Sequence, residues 1–532
     1  MFNFLTPLLL ILFTLATFNV AYYAPNQPRP RSVPPKCRFS PTYTQQDILN
    51  DPASFISDIL YWEGQYHQNN VSYNAHNGMS YDGTLLNETT GFPTAKHPFS
   101  AASKELLQIM LYTHALAGSH SAAQFLSPDE PRKARSIAFE IMSLKLQTYL
   151  KFNETYPGFG GFLPWYTGDS IEITPTYDWV NRVPALDNGG LIWAVYSAVQ
   201  VLEMSAMPEY NDLVKKWQSW LDYTKTTAAK VVSHIFYKGD GIVCAVTDPT
   251  NQTYQVNDPQ QNYTCEGNNT LNDPYEGEFF TWWLYFFGGL SDKDKNLLWE
   301  VKRPQLVSVD YDMDGFGPVT VQKGNLGFLF SSHEQWKVME MPYYDVEIVK
   351  RVYHNAERAR TCNSVVTKVP GMFASVNNST NPTTGQIIGY ISNAGIPSIS
   401  NQTVQELDVM TPYSVFPLIL FNKAIGMAWW KNMVDGKKMQ NPYGSSESTR
   451  VDGTATSSFV SWDSKLTTVN AILGGVGHIV REKMQRDGLY DDFVYVLQRE
   501  YGSVFKQLRG EDYALCLPSE SIPDEVTALK FP

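Results

Sequence analysis

The sequence predicts an all-α fold built as a double ring of paired helices. Helical periodicity recurs along most of its length, strand signals are few and short, and long polar or aromatic loops separate the helices. About eleven stretches carry apolar side chains at helical spacing, roughly the number such a ring needs. In chain order they are residues 104–119, 131–151, 188–205, 209–234, 277–288, 291–300, 331–337, 343–361, 415–434, 464–483 and 487–505. The second starts at Pro131, where the missing N–H leaves no hydrogen bond unmade. Residues 234–248, HIFYKGDGIVCAVTD, read as a hairpin turning at Gly-Asp-Gly, and 386–391 as another short strand. So few strands exclude a β-sandwich or a doubly wound sheet. Loops such as 157–188 and 371–403 are long enough to build a site or a lid, which puts a cleft at one end of the helices.

Residues 50–532 read as one domain, preceded by a Pro-rich lead over 22–49. Phe4 to Val20 is almost wholly apolar and reads, within residues 1–21, as a signal peptide or as an N-terminal anchor. The first three residues carry no positive charge, whereas Arg29 and Arg31 follow the apolar run. Either reading places the body in the lumen or outside the cell. Nine N-x-Ser/Thr sequons agree, at Asn70, Asn87, Asn153, Asn251, Asn262, Asn268, Asn377, Asn378 and Asn401. Five cysteines suit a secreted protein with one or two disulfides, and Cys244 with Cys265, bracketing a polar loop, is the expected pair.

The chain has 43% apolar and 18% charged residues, enough to build a large core. A net charge of -12 excludes nucleic acid as a partner, since phosphate binding needs concentrated Lys and Arg. Aromatic residues reach 14%; most are core filling, but such rings can also stack on sugars.

Three clusters could carry chemistry. The first, DPYEGEFFTWW (273–283), sets Glu276 and Glu278 where a loop enters an apolar helix. They either cap that helix or, crowded by aromatic rings, include a general acid. The second, FVSWDSKLTT (459–468), holds Asp463, a cap or partner of Lys465 or else the second carboxylate of a hydrolytic pair; Asp452 and Trp462 lie near it. The third, YDWVNRVPALDN (177–188), offers Trp179, Arg182, Asp187 and Asn188 as a helix cap or as sugar contacts, with Trp165 as a further platform. His333, Glu334, Trp336 and Tyr343 are added as subsite candidates. His333 lacks a second histidine at helical spacing, so no zinc motif is present. The alternating acids Asp310, Asp312 and Asp314 only faintly suggest a calcium loop, without the acid expected at its twelfth position. No metal and no cofactor is expected.

The segments GFLPW (161–165), WVNRVPALDNGGLIWA (179–194), DPYEGEFFTWW (273–283), SSHEQWKVMEMPY (331–343) and SWDSKLTTVNAILGG (461–475) together resemble the eukaryotic endo-β-1,2-glucanases of glycoside hydrolase family 162. A fainter likeness runs to bacterial endo-β-1,2-glucanases and glucoamylase-like helical domains. The resemblance implies an (α/α)6 toroid that cleaves internal β-1,2-glucosidic bonds with inversion and releases sophorooligosaccharides. It implies a glutamate acid working through a hydroxyl of the bound glucan, falling on Glu278 with Glu276 as the alternate. It also implies an aspartate base working through a water relay, falling on Asp463 with Asp452 behind it. A β-glucan is then the partner, membrane contact arises only if the N-terminal segment is retained, and the protein is expected as a monomer.

Overall fold

A computed structural model describes residues 36–519, apart from 206, 268, 275–276, 314, 325–334, 369–374, 381–386, 394–395, 397, 400–408, 436–438, 452 and 454–455. The expected signal or anchor segment therefore lies outside the described residues, as do Glu276, His333, Glu334 and Asp452. The helices are α1 (Gln45–Asn50), α2 (Ala53–Gly64), α3 (Ala102–Leu116), α4 (His120–Leu126), α5 (Ala134–Thr155), α6 (Ala185–Met204), α7 (Tyr210–Ile235), α8 (Glu278–Phe287) and α9 (Asp292–Glu300). They continue as α10 (Lys337–Glu340), α11 (Glu347–Val366), α12 (Phe416–Phe421), α13 (Lys423–Asp435), α14 (Trp462–Leu473), α15 (Gly477–Asp487) and α16 (Tyr490–Val504).

These helices form an (α/α)6 toroid with a few short hairpin sheets. Inner helices differ from outer ones in sequence because they are covered on all sides. Every residue of α3 is buried, whereas α16 keeps only Phe493, Val496, Leu497, Glu500 and Tyr501 inside. Helix α3 packs against α6 on one side and α14 on the other, and α6 continues the ring to α8. Close approach in this ring depends on two glycines. A Cβ on Gly189 would lie 2.7 Å from the Phe280 nitrogen, and one on Gly190 would lie 2.5 Å from Leu106 Cδ2.

Several expected elements change shape for local reasons. The helix read over 464–483 is two helices, because Gly474 takes a left-handed φ of 89° and ends α14. The helix read over 415–434 breaks at Asn422, whose side chain accepts from the Ile425 N–H at 3.1 Å and caps α13. Helices α1, α2 and α4 were missed, although Thr44 and Ser119 cap the first and the last of them through side-chain oxygens. Residues 36–49, the described part of the Pro-rich lead, pack on the helices: Phe39 and Ile48 are buried, and the Tyr43 hydroxyl donates to Asp58 at 2.7 Å.

The turn expected near residue 240 exists, but as a single Tyr237–Val243 bridge following α7; the strand after it, Val246–Pro249, pairs with Val183–Pro184 and Tyr263–Cys265. The strand expected at 386–391 is Ile387–Asn393, paired with Ser375–Thr380. Asp310 and Asp312 of the supposed calcium loop lie on Val307–Met313, which pairs with Gly317–Lys323, so their alternation is the two-residue period of a strand; Asp314 lies outside the described residues. Two disulfides close the body, the expected Cys244–Cys265 and a second, Cys362–Cys516.

Candidate active site

The candidate carboxylates occupy first turns of inner helices, where the helix dipole favours negative charge. Asp463 stands in α14, immediately after the strand Phe459–Ser461, and Ser461 caps the helix by accepting from the Ser464 N–H at 3.2 Å. Its Oδ2 lies 3.0 Å from Lys104 Nζ in the first turn of α3, while its buried Oδ1 accepts no hydrogen bond among the described residues. Lys104 Nζ also lies 3.2 Å from Asp82 Oδ1 and 5.3 Å from the centre of the Trp165 ring. Burial alone would raise the Asp82 carboxyl, but Lys104 and His97 outweigh it and hold the group below the usual carboxylate range.

Asp187, half-buried in the first turn of α6, feels the same charges. Burial pushes its carboxyl up to about 6; Lys104 opposes the shift and Asp463 adds to it. Around these groups stands an aromatic wall. Trp165 stacks on Trp179 with ring centres 6.4 Å apart and has Phe99 at 6.0 Å on another side. Arg182 lies 4.3 Å over the Trp179 ring and forks onto Glu266 at 2.6 and 2.8 Å, so its guanidinium braces the wall.

Glu278 opens α8. Its Oε2 accepts from Lys337 Nζ at 2.8 Å and from the Tyr343 hydroxyl at 2.5 Å, and no described residue donates to Oε1. Lys337 also donates to the Pro274 carbonyl at 2.6 Å and to the Tyr501 hydroxyl at 3.1 Å. Lys302 holds the carbonyls of Leu271 at 2.5 Å and Asp273 at 3.1 Å. Two buried lysines thus pin residues 271–274, and one of them holds Glu278 directly.

Other expected contact residues lie inside the walls. Asn188 is 1% exposed and its amide is engaged by Leu163 and Pro184. Trp336 and Trp462 are buried, their indole N–H groups donating to Thr467 at 3.1 Å and the Ser72 carbonyl at 2.8 Å. Tyr343 is buried behind Glu278, and Lys465 pairs with Glu63 at 2.8 Å and donates to the Ser445 carbonyl. In this structure these five side chains are buried and hydrogen-bonded within the protein. Trp165, Trp179, Arg182 and Asp187 remain partly open.

Lys104, Asp82, His97 and Lys337 were missed. The only trace of them in the sequence was a charged pair, Lys104-Glu105, opening a helix otherwise apolar enough to be buried on all sides. Two hollows, of 200 Å³ beside Tyr156 and Ile171 and of 330 Å³ between Tyr344, Lys423 and Arg481, contain none of these carboxylates. Among the described residues no cluster of His, Cys, Asp and Glu suits a metal ion, and no helix is long and apolar enough to cross a membrane.

Residues 79–530 match the family model for endo-β-1,2-glucanase SGL. Two structures of the endo-β-1,2-glucanase from Talaromyces funiculosus are 62% identical to this chain, with a TM-score of 0.89 over 93% of it and 99% of theirs. One holds a glutamate-to-glutamine variant with β-1,2-glucan, the other the enzyme with sophorose. The endo-β-1,2-glucanase from Chitinophaga pinensis is 10% identical and superposes with a TM-score of 0.57 over 86% of this chain and 98% of its own, a likeness of fold alone. No curated protein matches the chain.

Proposed function

The chain belongs to the SGL endo-β-1,2-glucanase family of glycoside hydrolases, and from that premise we propose that Glu278 and Asp463 are the acid and base with which it cleaves β-1,2-glucan. The protein is a glycoside hydrolase that acts on internal bonds of β-1,2-glucan. One observation supports the two assignments above the others: a buried lysine anchors each carboxylate through one oxygen, while the second oxygen accepts nothing from a described residue. A carboxyl so held keeps its orientation and retains one atom for a proton in transit.

The reaction follows by single displacement. Glu278 gives its proton to a hydroxyl of the bound glucan, and that hydroxyl passes its own proton to the glycosidic oxygen as the bond breaks. Water attacks the anomeric carbon from the opposite face and loses a proton through a relay water to Asp463, which inverts the anomeric centre. Because both transfers are relayed, the carboxyls need not lie within the roughly 6.5–9.5 Å of a direct inverting pair. Trp165 and Trp179 give the sugar rings a stacking surface, and Asp187 reaches their hydroxyls. The products are sophorooligosaccharides, and the enzyme works as a monomer in the lumen or outside the cell. Its two disulfides support that compartment, since such bonds persist under oxidising conditions.

The test is incubation with linear β-1,2-, β-1,3-, β-1,4- and β-1,6-glucans, with products followed over time by chromatography and NMR. Short β-1,2-linked oligosaccharides from the first polymer alone, born as the α-anomer, are expected. Products born as the β-anomer would overturn the single displacement. Activity retained by Glu278→Gln and lost in Glu276→Gln would move the acid to Glu276.

A further inference from the structure

We propose that Lys104 is the positioning residue of the base: steadied by Asp82, its ammonium fixes the Asp463 carboxylate through Oδ2 and leaves Oδ1 to receive the proton released by water. This inference rests on Asp463 being the base. Three structural ties converge on that carboxylate. The strand leading into α14 pairs with Gly83–Leu86, with Gly83 opposite Ser461, so the backbones bearing Asp82 and Asp463 are held side by side. The Asp82 N–H donates to the Phe99 carbonyl at 2.7 Å and to the His97 carbonyl at 3.2 Å, which fixes the segment that carries the second carboxylate. Lys104, 3% exposed, then lies 3.0 Å from Asp463 and 3.2 Å from Asp82.

The juxtaposition needs a cation. Asp82 and Asp463 are both buried, and two carboxylates on paired segments would repel without a positive charge between them. From α6 Asp187 feels the same ammonium, from the edge strand Pro93–His97 the ring of His97 reaches Asp82 at 3.8 Å, and the buried Tyr66 hydroxyl feels the charges of Asp82, Glu447 and Asp463. The Lys104 charge holds Asp82 down and opposes the rise at Asp187, so its removal lifts both carboxyls. A residue that only filled space would not have that effect.

The experiment compares Lys104→Met, Lys104→Arg, Asp82→Asn and Asp463→Asn in the full chain, measuring kcat, KM and the pH profile on β-1,2-glucan. Misplacing a reacting group by about 1 Å lowers rate by about a hundredfold, so Lys104→Met is expected to lose about that much in kcat with KM little changed. Its acid limb should move to higher pH, and Lys104→Arg should recover part of the rate and return the limb towards its original position. Asp82→Asn, which keeps the cation, should lose a smaller part of kcat and carries the test if Lys104→Met does not fold. Wild-type kcat in both Lys104→Met and Asp82→Asn, or a loss in Lys104→Met that neither shifts the limb nor responds to Arg, would overturn the proposal. Retention of turnover in Asp463→Asn would overturn the base assignment itself. Collapse there beside unimpaired Lys104 variants would overturn only the positioning role.

Discussion

Lys104 and Glu105 are neighbours in the first turn of α3, yet they serve two ion-paired clusters that differ in one respect. Glu105 is saturated. Its Oε1 accepts from the Ser80 N–H and hydroxyl and from Tyr166, and its Oε2 accepts from Lys145 at 2.6 Å and Tyr149 at 2.8 Å. Asp463, one helix away, meets the Lys104 ammonium through Oδ2 and leaves its buried Oδ1 unmatched. Glu278 follows the second pattern, tied through Oε2 to Lys337 and Tyr343. With its lone pairs engaged Glu105 holds the fold, whereas the oxygen left in reserve on Asp463 suits a proton in transit.

The strongest challenge to this contrast is removal of charge without change of shape. Asp463→Asn and Glu278→Gln are each expected to lower kcat on β-1,2-glucan by about a hundred- to ten-thousandfold, since general acid–base catalysis contributes that much. Their thermal unfolding should stay near wild type, and steady-state kinetics with calorimetry checks both parts. Glu105→Gln should do the reverse. It leaves Lys145 buried and short of its counter-ion, a loss of about 3–5 kcal/mol, while kcat of the folded fraction holds. Denaturant unfolding beside an activity assay separates these effects.

A smaller effect sharpens the picture of the aromatic wall. Trp179→Ala removes the surface stacked on Trp165 and bridged by Arg182, and should cost about 0.5–1.5 kcal/mol in glucan binding, a rise in KM of up to about tenfold with kcat nearly kept. The smallest concerns Asp187. Its carboxyl sits near 6 in the fold against 3.8 in the free residue, so the folded state binds the extra proton between those values. Stability from this group is therefore lost as pH rises from about 4 through about 6, and the penalty is complete above that. Asp187→Asn should melt higher than wild type at pH 7 and lose that advantage near pH 4, as melting scans at the two values would show.

Much of this contrast was legible in the sequence, and the missing half has a clear reason. The helices are local features, and their spacing of apolar residues survives in α3, α5, α6, α7, α8, α9, α11 and α16 within a few residues. Acids at a helix start are ordinary caps, so Glu278 and Asp463 stood out through the aromatic residues around them and through the family resemblance of their segments. Lys104 did not stand out, because Lys-Glu at a helix start looks like a solvated first turn until tertiary contacts bury it. Trp336, Trp462 and Tyr343 show the opposite limit. Rings beside acids read as sugar platforms, but here they pack behind the carboxylates and hydrogen-bond inward. Sequence gives the company a residue keeps along the chain; it does not give which side of the wall the side chain faces.

The most direct test measures turnover on β-1,2-glucan and unfolding temperature for Asp463→Asn and Glu105→Gln side by side. The account predicts that the first loses turnover and keeps its fold, while the second loses stability and keeps turnover in the folded fraction. Turnover that survives Asp463→Asn, or that collapses in folded Glu105→Gln, would contradict it.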